Sequence, residues 1–273
     1  MEKLALIYDF DKTLSPKNMQ EFHYISSLGF KDSKDFWAEC SKEVKRCNMD
    51  SVLAYMMLML KYNNPLTKSK LIDEGKYIKL YKGVDTWFKR INAYGRKKGI
   101  EVEHYIISSG IKEMIEGTKI SKEFKKIYAC SYSYDLNEEV KWPAMVVNYT
   151  TKTQYLFRIN KGVLDETNDF DLNRSTPEEE KYIPFSNMVY FGDGLTDVPS
   201  MKVVKNNGGY TVAVYDSISQ KETLAQELKK DKRATFAFKA DYSKDSKIEQ
   251  AIKGIIDSIA INNKLDVFKI DED

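Results

Sequence analysis

The chain has 273 residues, 42% of them hydrophobic, and its 43 basic and 41 acidic residues leave a formal net charge of +2. That length accommodates one large domain, or a core with a smaller one. The charge balance leaves no electrostatic footprint for nucleic acid or an anionic membrane, and the basic runs Arg96 to Lys98 and Lys229 to Arg233 read as solvated helix ends and loops.

Leu4 to Tyr8 is an unbroken apolar run, the pattern of a strand buried on both faces. It runs straight into Asp9 and Asp11, then Thr13. Two carboxylates at a strand end cost solvation and mutual repulsion. A divalent cation would offset that cost, so this stretch predicts a metal-dependent carboxylate site at the C-terminal end of a central parallel strand. The first apolar run is too short for a signal peptide, and the longest, Val52 to Leu60, is too short to span a bilayer. Cys40, Cys47 and Cys130 are odd in number and lack metal-ligand spacing, as free thiols in a reducing compartment would. A soluble, cytoplasmic protein is expected.

Residues 15 to 80 carry helical patterns: Phe22, Ile25 and Leu28; Phe36, Cys40 and Val44; Val52 to Leu60; Leu71 to Leu80. Gly29, Asn48 to Asp50 and Asn63-Asn64-Pro65 separate them, which predicts a small helical module inserted after the first strand. Its Met56, Met57 and Met59 suit a helix core, with a pocket lining as the alternative. From Gly83 helix and strand alternate. Val84 to Tyr94 is an amphipathic helix, Val102 to Ile107 a strand, and Ile111 to Ile120 a helix starting at the turn Ser108-Ser109-Gly110. Ile127 to Tyr134 and Met145 to Tyr149 are strand-like and pairable as a hairpin, with a helix over Thr151 to Asn160. Thr176-Pro177-Glu178-Glu179 has the form of a capped helix start. Met188 to Phe191, Tyr210 to Tyr215 and Thr235 to Phe238 are further strands, with helices over Ser219 to Leu228 and Ser246 to Ile259 and a frayed tail at Asp271-Glu272-Asp273. The alternation predicts an α/β fold with a three-layer parallel sheet.

Four features fall in chain order at strand ends or helix starts: Asp9-Phe10-Asp11-Lys12-Thr13, Ser108, Lys152, and Gly192-Asp193-Gly194 with Asp197. This series resembles the haloacid dehalogenase (HAD) superfamily, in particular its magnesium-dependent phosphatases, over residues 1 to 14 and about 81 to 242. The resemblance implies a HAD-like core at 1–14 and 81–273, and an all-helical C1-type cap at 15–80 that closes over the site and supplies substrate contacts. It implies Asp9 as the nucleophile that forms an aspartyl-phosphate, and Asp11 as the acid that protonates the leaving oxygen and then activates water. Strand alternation would put i and i+2 on one side, which accounts for the spacing of the pair. The ligands of Mg2+ would be the side chains of Asp9 and Asp193 and the carbonyl of Asp11. Asp197 would hold a water of the metal or the lysine, with Thr13 also in support, and Gly192 and Gly194 would let the chain turn sharply.

Ser108, with N–H groups of Ser109 and Gly110 opening a helix, would bind phosphate; an ordinary N-cap serine is the bland alternative. Lys152 would neutralise phosphate and Asp9, and it is preferred over Lys141 and Lys161 because it directly precedes a helix. The segment 161–186 would be an insertion.

Of the two histidines, His104 reads as structural, while His23 lies in the helical insert. Phosphoserine phosphatase is the nearest functional neighbour by motif, but the position of its substrate-reading glutamate holds Asn18, with Glu21 three residues on, and Thr196 stands where Asn is usual. Asp11 argues against a true dehalogenase, and the absence of membrane helices against a P-type ATPase. The expected activity is hydrolysis of a small phosphorylated metabolite. A non-catalytic phospho-ligand module, or transfer to an acceptor other than water, is the alternative.

Overall fold

The computed structural model describes residues 1–216 and 221–269. Seven strands form one sheet: β1 (Glu2–Tyr8), β2 (Ile100–Ile111), β3 (Lys126–Tyr134), β4 (Val140–Met145), β5 (Met188–Gly192), β6 (Tyr210–Tyr215) and β7 (Phe236–Lys239). The order is β4-β3-β2-β1-β5-β6-β7, and every pair is parallel except the antiparallel edge pair β3–β4. Leu4 to Tyr8 are fully buried at the centre, flanked by β2 and β5, which is why this run carries no polar alternation. The chain leaves β1 toward β2 and later returns to its other side at β5. The order therefore reverses at β1, and the crevice beyond the C-terminal ends of β1 and β5 is where such sheets take ligands.

Between β1 and β2 lie α1 (Tyr24–Ser27), α2 (Ser33–Cys47), α3 (Ser51–Tyr62), α4 (Lys68–Glu74) and α5 (Val84–Lys97). Asp32, Asp50 and Thr67 cap α2, α3 and α4 through side-chain oxygens that accept backbone N–H groups. Then follow α6 (Lys112–Glu116), α7 (Lys152–Lys161), α8 (Asp169–Asn173), α9 (Val198–Asn206), α10 (Lys221–Lys230) and α11 (Lys247–Lys269). Helix α5 packs with α11 and α7 with α9. Right-handed crossovers leaving β1 in opposite directions put these pairs on opposite faces, giving three layers. Among the described residues no helix is long and apolar enough to cross a membrane.

Several elements differ from the sequence pattern. β2 runs on through Ser108, Ser109 and Gly110, with its register to β3 shifting between Ile107 and Ile111. The following helix is only Lys112–Glu116, because the chain turns at Gly117, where a Cβ would meet the Ile72 carbonyl oxygen at 1.8 Å. The returning hairpin strand is Val140–Met145, not Met145 to Tyr149. Its turn docks on the helical segment: Lys68 donates to the Glu138 carbonyl and Val140 to that of Leu66. Thr176 to Glu179 leads into a single 3-10 turn, Glu178–Glu180, and Phe22 to Leu28 gives only the four-residue α1. Ser219 and the tail Asp271 to Asp273 lie outside the described residues.

His104 is held inside the core. Trp87 Nε1–H donates to the Tyr8 hydroxyl, which donates to His104 Nδ1 (3.0 Å), and His104 Nε2–H donates to Asn92 Oδ1 (2.8 Å). That chain satisfies the neutral ring, and burial lowers its pKa to about 3. Unfolded, the ring takes a proton near 6.5; folded, only near 3. Between those values the unfolded state binds more protons, so stability is full above about pH 6.5 and falls as the pH drops. Denaturant unfolding at pH 5 is expected to show about 2 kcal/mol less stability from this residue than at pH 7. His104→Gln is expected to flatten that slope; an unchanged slope in the variant would refute the assignment.

Candidate active site

Asp9 follows β1 directly and its N–H donates to the Phe191 carbonyl of β5 (2.9 Å), so it stands at the reversal point of the sheet. Asp11 is not on the strand. The chain turns at Phe10, whose carbonyl accepts from Thr13, Leu14 and Ser15, and Lys12 takes a left-handed φ of 60°. The turn, and not strand alternation, therefore sets the position of Asp11. Asp11 Oδ1 accepts from the N–H of Met19 (2.8 Å). Burial, followed by the charge of Asp9, pushes its carboxyl well above the usual range.

Lys152 is the first residue of α7 and is almost fully buried. Its ammonium lies 3.0 Å from Asp9 Oδ1 and 2.8 Å from Asp197 Oδ1. The other two lysines weighed at this position lie elsewhere: Lys141 pairs with Asp135 on the surface, and Lys161 donates to the Leu172 and Arg174 carbonyls. Asp197 is fully buried, and its oxygens are all engaged. Oδ1 accepts from Lys152 and the Tyr190 hydroxyl (2.8 Å); Oδ2 accepts from the N–H groups of Asp193 (3.1 Å) and Gly194 (3.4 Å). A carboxylate so occupied positions its neighbours. Gly192 matters for closeness rather than for turning: a Cβ there would stand 2.4 Å from Asp197 Cγ. Neither Gly192 nor Gly194 has a positive φ, and Gly194 has open space around its Cα.

Oxygen atoms of Asp9, Asp193 and Asp197 lie within 4.8 Å of one another. Because Asp197 is saturated, Asp9 and Asp193 are the carboxylates suited to a cation. An all-oxygen donor set suits Mg2+. The charge balance agrees. Asp9, Asp193 and Asp197 cluster beside the buried Lys152 ammonium, more carboxylates than one ammonium balances, and a divalent cation would offset the difference. Burial pushes Asp9 upward even beside Lys152.

A cavity of about 380 Å³ opens over these groups; its walls include Asp9, Asp11, Ser108, Lys152 and Asp193. Ser108 is buried, and its Oγ accepts from the Gly110 N–H (3.0 Å), which leaves its own proton to donate. Ser109 and Gly110 belong to the irregular end of β2 and do not open a helix. A Cβ at Gly110 would meet Met19 Cε at 2.0 Å, so the end of that methionine would have to shift. Thr13 is buried below the site, its carbonyl accepting from the Tyr242 hydroxyl, and its Oγ1 has no partner among the described residues. Met56 and Met59 are fully buried in the core and do not line the cavity. His23 is also away from it, bonded to Glu74 (2.9 Å) and stacked on Tyr77.

Sequence reasoning missed Tyr190, Met19 and Tyr55. Each resembles a core residue by pattern. Tyr190 anchors Asp197, the Met19 N–H fixes Asp11, and the Tyr55 hydroxyl donates to the Ser109 carbonyl (2.6 Å). Only the register of three separate segments brings them to the site.

No family model matches the chain. An uncharacterized protein of Borreliella burgdorferi is 27% identical over 276 residues, covering 90% of this chain and 93% of that protein. Among solved structures, a substrate-bound phosphoserine phosphatase superposes with a TM-score of 0.57 at 15% identity, covering 88% of this chain and 95% of that one. A probable phosphoserine phosphatase of Vibrio cholerae gives 0.59 at 13% identity, over 96% of this chain and 67% of that one. A HAD family hydrolase of Salmonella enterica serovar Typhi gives 0.57 at 15% identity, over 86% of this chain; the match spans 66% of that longer chain. The fold is the HAD-like α/β fold of these hydrolases.

Proposed function

We propose that this protein is a magnesium-dependent phosphomonoesterase that works through a phospho-Asp9 intermediate, with residues 15–80 as its cap. The observation that carries the reading is the buried Lys152 ammonium held between Asp9 and Asp197, with Asp193 beside them, at the floor of a cavity also reached by Asp11 and Ser108. A structural ion pair needs neither the surplus carboxylates nor the cavity.

Asp9 and Asp193 would hold the cation, which when bound would neutralise phosphate charge and so admit an anionic nucleophile. Asp9 attacks phosphorus as the bond to the ester oxygen breaks. That oxygen takes the proton of Asp11 and leaves as the alcohol. Asp11, now a carboxylate, takes a proton from water, which attacks phosphorus; the bond to Asp9 breaks and free phosphate leaves. Lys152 fixes the Asp9 carboxylate and adds positive charge for the phosphoryl oxygens. Asp197 holds Lys152 in turn, and Ser108 donates to a phosphoryl oxygen.

Release of p-nitrophenol from its phosphate ester is expected with magnesium and lost with EDTA, then recovered when magnesium is restored. Equal activity under EDTA would remove the metal from the account. Retention of beryllium fluoride without any turnover would favour the phospho-ligand binding module instead.

A further inference from the structure

The cavity has two unlike ends. Its charged wall residues are Asp9, Asp11, Lys12, Lys152 and Asp193, all within the segments that form the catalytic floor. Lys152 is taken up by two carboxylates, and Lys12 follows Asp11 in the turn after β1. Every wall residue drawn from positions 18 to 55 is uncharged. Trp37, half-buried, and Tyr55 pack edge to face at 6.1 Å and, with Val44 and Val52, give that end an aromatic and aliphatic surface. Glu21, close to that end, stays out of the wall; its Oε1 accepts from Asn18 Nδ2 (2.7 Å) and Trp37 Nε1 (2.8 Å).

The second observation concerns Gln20, which is only 2% exposed and lines the same wall. Its Oε1 is buried and has no hydrogen-bond partner among the described residues. A buried carbonyl left without a donor is costly, so such groups point to a missing partner. The group that would satisfy it is a hydroxyl or N–H. A substrate carboxylate or ammonium at this end would lose its hydration and meet no counter-charge among the wall residues from positions 18 to 55.

We infer that the alcohol half of the substrate is uncharged, bears hydroxyl or N–H donors and has an apolar face, as a sugar or a nucleoside does and an amino acid does not. Gln20 reads one of its donors, and Trp37 and Tyr55 receive its face. This inference rests on the phosphomonoesterase reading above and names the substrate class for the same site.

The test uses the full chain with magnesium. It compares hexose and pentose phosphates and nucleoside monophosphates with phosphoserine and phosphoglycerate, with p-nitrophenyl phosphate as the control for the chemistry. At least one neutral ester is expected to exceed both charged ones about tenfold or more in kcat/KM. The sugar and nucleoside arms separate those two sources. Gln20→Leu is expected to raise KM for the preferred ester roughly tenfold while Tm stays level or rises, because an unpaired buried carbonyl is removed. A lowered Tm with unchanged KM would make Gln20 structural and overturn its role. Preference for a charged ester, or turnover of the control alone, would overturn the inference and leave the phosphatase standing. No turnover of any ester, with no retention of beryllium fluoride, would remove both.

Discussion

Asp9→Asn is expected to abolish turnover of phosphate esters, by about 10³-fold or more, while the protein stays folded. The amide is close in size to the carboxylate but cannot form the acyl phosphate. The fold does not depend on the lost charge. The Asp9 N–H still donates to the Phe191 carbonyl, and Lys152 keeps Asp197 as its partner. Burial already disfavours the ionised form of Asp9. Tm is therefore expected to hold or rise. Activity lost together with folding would leave the nucleophile untested by this variant alone, so Tm is measured on the same preparation; wild-type turnover would refute the assignment.

Lys152→Met is expected to have the second large effect, on stability and activity together. Methionine fills much of the volume of the lysine stem but leaves Asp9 and Asp197 buried without the ammonium between them. Breaking a buried pair from one side typically costs about 3–5 kcal/mol. Denaturant unfolding reads that loss, and ester hydrolysis is expected to fall by about 10²-fold or more as positive charge leaves the proposed phosphate site. Adding Asp197→Leu is expected to restore part of the stability, since it removes the stranded carboxylate, but none of the activity. Additive losses in the double variant would show that Lys152 and Asp197 do not act as a pair.

The central strand and the α/β alternation were legible because they depend on local pattern: Leu4 to Tyr8 is apolar throughout and fully buried. Asp9, Asp11, Ser108, Lys152, Asp193 and Asp197 were legible as a series, and the structure brings them around one cavity or the groups beneath it. The errors fall where long-range contacts overrule local signals. Ser108 to Gly110 looked like a turn into a helix, yet pairing with β3 carries the strand on to Ile111. Asp11 looked like the second residue of a strand pair, yet the convergence of three N–H groups on Phe10 turns the chain first. The glycines at the end of β5 and just beyond it looked like turn residues, whereas Gly192 is small because Asp197 lies against it. Tyr190 and Gln20 could not be singled out at all, since one buried tyrosine or glutamine resembles another until its partners, or their absence, are visible.

The central claim is that Asp9 carries the phosphoryl group. Acid quench during steady turnover of p-nitrophenyl phosphate with magnesium, followed by digestion and mass spectrometry, tests it most directly. The account predicts a phosphate adduct on Asp9 in the peptide that contains Leu4 to Ser15, labile to hydroxylamine and absent from Asp9→Asn. Steady ester hydrolysis with no adduct, or an adduct on another residue, would contradict it.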